Sequence, residues 1–300
     1  MAAPLSQVFS PSGFQELFSA WKSFPDAVPY AGGIEFIRNQ GSVIPMLPKT
    51  IISLDKLEEL RRVRRTERYL EIGAMVKLNQ IINLGRVVPE VLIRCLECIA
   101  SPQLRNLATI GGNLCSTFNR LDCAAVMVAL EAQFELRTAQ SVRWVPVSHF
   151  LLPSGPPLLS PQELLTRIRI PLEPWTFTYY YKLHDAGNKK PSDAVLFVIK
   201  NEKNILTGIR AVYSGQITLR QRDSENILEG KRLPLDRRDA SAFIDSWETS
   251  LAAADLAGNS PPPGKEGNSG GNSRERNSNT EFLKKRILNF IETSIMRISD

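Results

Sequence analysis

The sequence predicts an α+β chain: two successive α/β subdomains, about residues 1–60 and 61–170, followed by a C-terminal α+β domain, 171–300, with a small antiparallel sheet and helices. Three observations carry this. Apolar residues alternate between helical and strand periods through the first half. Two Gly-Gly pairs punctuate that half, the first directly after a strand-like run. From Leu164 to about Leu219 strand-like runs dominate, and helical patterning follows.

In order along the chain, Ser10-Pro11-Ser12 is expected to cap a helix whose apolar residues Phe14, Leu17, Phe18 and Trp21 share one face. A short strand, Ala27 to Ala31, breaks at Gly32-Gly33, and strand-like runs at Ser42 to Leu47 and Thr50 to Leu54 complete the first subdomain. The second opens with a strand, Tyr69 to Ala74. Helices over Lys77 to Leu84 and Pro89 to Ala100 precede a polar stretch ending in Thr109-Ile110-Gly111-Gly112-Asn113. A helix at Asp122 to Glu131, strands at Gln133 to Thr138 and Val142 to Val147, a proline-rich connector and a strand at Leu164 to Ile170 follow. Beyond these, Ile209 to Tyr213 and Ile217 to Leu219 belong to a meander. Residues 258–279 are almost wholly Gly, Asn, Ser, Pro and charge, a composition that cannot bury a core, and are expected to be a disordered loop. Leu283, Ile287, Phe290, Ile291 and Ile298 mark a closing amphipathic helix.

The bulk numbers bound the function. With 43% hydrophobic residues the chain can bury one large core or two ordinary ones. No apolar run is long enough to span a membrane, and Met-Ala-Ala-Pro-Leu-Ser lacks the start of a signal peptide, so a cytoplasmic protein is expected. The net charge is +6, and its densest basic run is Arg61-Arg62-Val63-Arg64-Arg65 with Arg68 behind it. That run is a solvated turn or helix face, or a docking patch for an acidic partner. No nucleic-acid motif surrounds it. Cys95 and Cys98 have CxxC spacing, but on one amphipathic helix they read as small buried hydrophobes, and no metal site is expected. With His149 and His184 the only histidines, no catalytic residue is assigned on this chain.

The glycine pairs carry the chemistry. A pair after a strand permits unusual backbone angles and lets N–H groups approach a phosphate, although a lone pair also simply ends a strand. Thr109 to Asn113 adds a hydroxyl and an amide to the second pair, and Asp122 then either caps a helix or accepts from sugar-like hydroxyls. Two such turns on successive units suggest a dinucleotide between them, and neither matches the Rossmann GxGxxG.

The sequence Ala-Gly-Gly after a strand, then Ala-Thr-Ile-Gly-Gly-Asn-Leu, then Asp and a small-residue helix, resembles the FAD-binding (medium) subunit of molybdenum hydroxylases of the xanthine dehydrogenase and carbon monoxide dehydrogenase type. The resemblance continues through Ile168-Arg-Ile-Pro171 and Phe177-Thr-Tyr-Tyr-Tyr-Lys182. It implies a PCMH-like FAD-binding domain over 1–170 whose subdomains enclose FAD. The first glycine loop, Pro29, Tyr30, Ala31, Gly32, Gly33, Ile34, Glu35 and Phe36, would wrap the pyrophosphate. Thr109, Gly111, Gly112 and Asn113 would lie along the phosphates and ribityl chain, and Asp122 would bind FAD hydroxyls. Ile99 and Leu165 would be apolar contacts to the cofactor rings, or simply core, and Lys182 a polar contact.

The chain also departs from the family. Ile34 stands where Thr or His is usual, Phe118 and Asn119 interrupt the segment before Asp122, and the segment from His184 to Asp193 is longer than usual, with Lys189 or Lys190 in place of an Arg. The resemblance implies an oxidoreductase subunit that takes electrons from a two-iron two-sulfur cluster on a small partner and passes them through FAD to NAD or another acceptor. The molybdenum cofactor would sit on a large partner. The rivals are a freestanding flavin oxidoreductase and a non-catalytic assembly subunit with weakened FAD binding.

Overall fold

Residues 6–38, 47–116, 122–152, 156–182, 194–215 and 218–258 are described by a computed structural model. The chain forms two compact units, Met1–Glu173 and Pro174–Asp300. The first begins with β1 (Gln7–Phe9), α1 (Phe14–Ser23), β2 (Val28–Tyr30), α2 (Ile34–Arg38) and β3 (Thr50–Ser53). The strands make a parallel sheet in the order β1-β3-β2, and β1 is an element the sequence patterning did not reveal. Helix α1 buries Phe14, Leu17, Phe18 and Trp21 in a core shared with Ile52, Leu54 and Leu57. Its capping differs from expectation. Gly13 is the N-cap residue without a side-chain bond, while the Ser12 amide and hydroxyl both donate to Glu16 Oε2, at 2.8 and 3.0 Å.

The same unit continues through β4 (Val63–Arg65), β5 (Tyr69–Gly73), α3 (Leu78–Asn83), α4 (Glu90–Glu97), α5 (Pro102–Arg105), α6 (Ile110–Leu114), α7 (Cys123–Ala129), β6 (Gln133–Arg137), β7 (Val142–Pro146), α8 (Val147–Phe150) and β8 (Leu164–Pro171). The five strands form an antiparallel sheet, β4-β5-β8-β6-β7. Strand alternation divides β8: Ile168 and Ile170 are buried, whereas Arg167 and Arg169 turn to the opposite face and bind Glu71. The basic run thus differs from the turn or helix face expected of it. Arg61 closes a short 3-10 turn, and Val63–Arg65 is an exposed edge strand paired with β5. Cys95 is buried in α4, but Cys98 lies past the helix end and is half-buried. Among the described residues no cluster of His, Cys, Asp and Glu could hold a metal ion.

The second unit is a four-stranded antiparallel sheet in the order β12-β11-β10-β9, built from β9 (Phe177–Lys182), β10 (Ala194–Glu202), β11 (Ile205–Ser214) and β12 (Thr218–Arg220). Lys203 and Asn204, both at positive φ, form the two-residue turn between β10 and β11, a geometry that matches strand twist. Val195, Phe197 and Ile199 on one sheet face pack with Leu228 of α9 (Arg222–Leu228) and with Phe243, Ile244 and Trp247 of α10 (Arg237–Gly258). The expected strand over 42–46, Phe118 and Asn119, the segment 184–193, the loop over 259–279 and the closing helix lie outside the described residues.

Candidate functional site

The two glycine segments, far apart in sequence, meet in the first unit. The second is laced onto the end of β5. Ala74 accepts from the Gly111 amide at 2.9 Å, Val76 accepts from Ile110 at 3.0 Å, and Leu78 donates to the Ala108 carbonyl at 2.9 Å. Ala74 in turn donates to Thr166 of β8 at 2.9 Å, which ties the segment to the five-stranded sheet. The Lys77 ammonium donates to the Leu107 carbonyl at 3.1 Å. Burial pushes Lys77 below the usual lysine range and the charge of Arg61 adds to this, with Asp55 opposing.

The first segment seats directly on that backbone. A Cβ at Gly32 would lie 2.2 Å from the Leu107 carbonyl oxygen, so no larger residue permits this approach. Gly33 has φ +72, the left-handed conformation that glycine adopts without strain. Tyr30 ends β2, and its ring stacks on Phe36 with centroids 5.6 Å apart. Ala31 packs against the core of α1, and Ile34, Glu35 and Phe36 form the first turn of α2. A side-chain bond closes the juxtaposition: the Ser116 hydroxyl donates to Glu35 Oε1 at 2.5 Å. Burial pushes the adjacent Cys115 thiol up to about 12, and the Glu35 carboxylate adds to the shift, although the residue as a whole keeps some exposed surface.

The second glycine pair is not the open turn that the sequence suggested. Gly111 and Gly112 lie inside the short helix α6, and Thr109 is its N-cap, accepting from the Gly112 amide at 3.1 Å. Asn113 Oδ1 is buried with no hydrogen-bond partner, an acceptor that calls for a donor from outside the described chain. Asp122 stands at the N-cap position of α7 but its side chain makes no capping bond there.

Three predicted residues lie elsewhere. Ile99 follows α4 and is half-buried. Its carbonyl, with those of Glu97 and Ala100, accepts from Arg105 Nη1 at 2.9–3.0 Å. Leu165 is 3% exposed and pairs with Leu136 in the interior of the sheet. Lys182 ends β9 and belongs to the second unit. Ser116 and Lys77 were not singled out from the sequence. For Ser116 the available signal was a hydroxyl close behind Asn113, and for Lys77 a lone cation between an apolar strand and a helix.

Residues 4–173 match the family described as the FAD binding domain in molybdopterin dehydrogenase. The chain belongs to that family. As a molybdopterin dehydrogenase flavoprotein it is 28% identical over 240 residues to the carbon monoxide dehydrogenase medium chain of Hydrogenophaga pseudoflava, covering 75% of this chain and 84% of that one. It is also 28% identical to aldehyde oxidase 1 of Bos taurus over 186 residues, 58% of this chain but only 14% of that longer protein. The fold matches quinoline 2-oxidoreductase from Pseudomonas putida 86 with a TM-score of 0.78 at 19% identity, over 99% of this chain and 100% of that one. The residues present fit the family's cofactor. The orphaned Asn113 oxygen suits a ligand rich in hydroxyls, and the Gly32 contact with the Leu107 carbonyl is what brings the two segments together beside it.

Proposed function

We propose that this chain is the flavoprotein electron-transfer subunit of a cytoplasmic molybdenum hydroxylase complex. In this reading it accepts electrons from an iron–sulfur small subunit beside a molybdenum-cofactor large subunit, and delivers them to NAD or another acceptor. The observation that carries the proposal is the meeting of the two glycine segments at Gly32 and Leu107, since it assembles one ligand site from two separate parts of the chain.

The chain's own residues bind and orient. Pro29 to Phe36 and Thr109 to Asn113 hold the diphosphate and ribityl chain of FAD. Backbone amides of the first segment supply donors, while the amides from Ile110 to Asn113 are spent within the protein and the Asn113 side-chain oxygen is what the second segment offers. Asp122, at the start of α7, accepts from cofactor hydroxyls. Ile99, whose carbonyl is held by Arg105, presents an apolar surface to the rings, whereas Leu165 is closed inside the sheet and serves as core. Bound FAD supplies one-electron acceptance and hydride release, chemistry no side chain here provides. The similarity to a medium chain over 84% of that protein's length favours a subunit that depends on partners over a freestanding oxidoreductase.

The test compares the isolated chain with the chain co-expressed with the large and small subunits. Isolated, it should carry FAD yet hydroxylate no purine, aldehyde or carbon monoxide. In the complex, anaerobic addition of the hydroxylase substrate should bleach the flavin. Substrate hydroxylation by the isolated chain would refute the reading.

A further inference from the structure

We propose that the Glu35 carboxylate is the residue that sets how tightly this chain holds its dinucleotide, as a fixed negative charge clasped between the two glycine segments. The inference rests on the reading of those segments as the diphosphate site. Glu35 lies two residues past Gly33 in the first turn of α2, and Ser116 reaches it from two residues beyond the end of α6, across 81 positions of sequence. The bond at 2.5 Å pins the carboxylate where the segments meet, and the half-buried side chain has little freedom to swing into water.

The clasp and the charge act in opposite directions. A hydroxyl donor localises a carboxylate without supplying a countercharge. Lys77, on the second segment's side of the junction, is directed at the Leu107 carbonyl on which Gly32 sits. A diphosphate entering this site therefore meets like charge from Glu35, while the same residue holds the two binding segments in register. The two roles separate chemically, because a glutamine keeps an oxygen that accepts from Ser116 and carries no charge. Removing one unit charge from beside a diphosphate in a partly solvated site should strengthen binding by about tenfold.

The experiment titrates the flavin-stripped full chain with FAD, and with riboflavin as a phosphate-free probe, at low and high salt. Wild type, Glu35→Gln, Glu35→Ser and Ser116→Ala are compared, with circular dichroism as the check on folding; two uncharged Glu35 variants guard against one failing to fold. Glu35→Gln should bind FAD about tenfold more tightly with riboflavin unchanged. Its advantage over wild type should shrink as salt screens the charge. Glu35→Ser, which loses the Ser116 bond along with the charge, should gain less in FAD affinity than Glu35→Gln. Equal FAD affinity in wild type and the folded Glu35 variants would overturn the inference while leaving the site intact. So would weaker binding in both variants, or a loss confined to Ser116→Ala, which would make Glu35 a tether only. If neither wild type nor Glu35→Gln takes up FAD although both fold, the diphosphate site itself is misassigned and the inference falls with it.

Discussion

Thr109 shows how a single side chain prepares the second glycine segment. It is 2% exposed, and its hydroxyl accepts from the Gly112 amide, so the turn of α6 is fixed before any ligand arrives. Thr109→Val keeps the shape and removes the acceptor. It should cost about 1 kcal/mol, the usual worth of an N-cap, read as a lower denaturant midpoint with an unchanged slope. At this scale the sequence was informative where chemistry is local. Gly32, Gly33, Gly111 and Gly112 stand out because a backbone that must approach something closely has no other residue to use. The Glu35–Ser116 bond was not legible, because nothing in either neighbourhood says that residues 81 apart will touch. Asp122 is intermediate: its place before a helix is evident in sequence, but whether it caps that helix depends on a side-chain direction that only the fold decides.

Among the elements, the five-stranded sheet carries a charged layer opposite its core. Glu71 on β5 accepts from Arg169 at 2.9 Å and Arg167 at 3.1 Å, and the Arg169 guanidinium lies 3.9 Å over the Trp144 ring of β7. Burial alone would raise the Glu71 carboxyl, but the hydrogen bonds and charge of Arg169, and then of Arg167, outweigh it and hold the group below its ordinary 4.5. A depressed carboxyl binds protons more readily in the unfolded chain than in the native one. Its stabilisation is therefore complete above the unfolded value and is lost as pH falls through the lower folded value. Glu71→Gln should destabilise by about 2 kcal/mol at neutral pH, the scale of a charged hydrogen bond, and the difference from wild type should shrink below about pH 4. A melting-temperature series against pH checks both signs. Strand and helix identities at this scale were readable from period where an element was long, as in α1 or β8. The strand Val63–Arg65 was not legible because one valine among arginines gives no alternation to detect, and β4 becomes a strand only by pairing with β5.

At the scale of the molecule, the order of the longer elements was visible in the sequence, but the short strands β1 and β4 and the strand order were not. The sheet β4-β5-β8-β6-β7 places β8 between β5 and β6, a long-range pairing that no local signal encodes. That insertion is what gives α6 its support, through Thr166 and Ala74. Among the described residues no helix is long and apolar enough to cross a membrane. We propose that the joined glycine segments hold FAD, and Gly112 is the position that tests this with least disturbance. A Cβ there would meet only the Thr109 hydroxyl at 2.8 Å, whereas at Gly32 it would strike backbone and disturb the fold as well. The decisive measurement is the FAD released per chain by denaturing purified wild type and Gly112→Val. About one FAD is expected per wild-type chain and at least a tenfold lower occupancy in the variant at limiting FAD, with matching circular dichroism, because a side chain there blocks backbone approach. Equal FAD in both proteins would contradict the proposal.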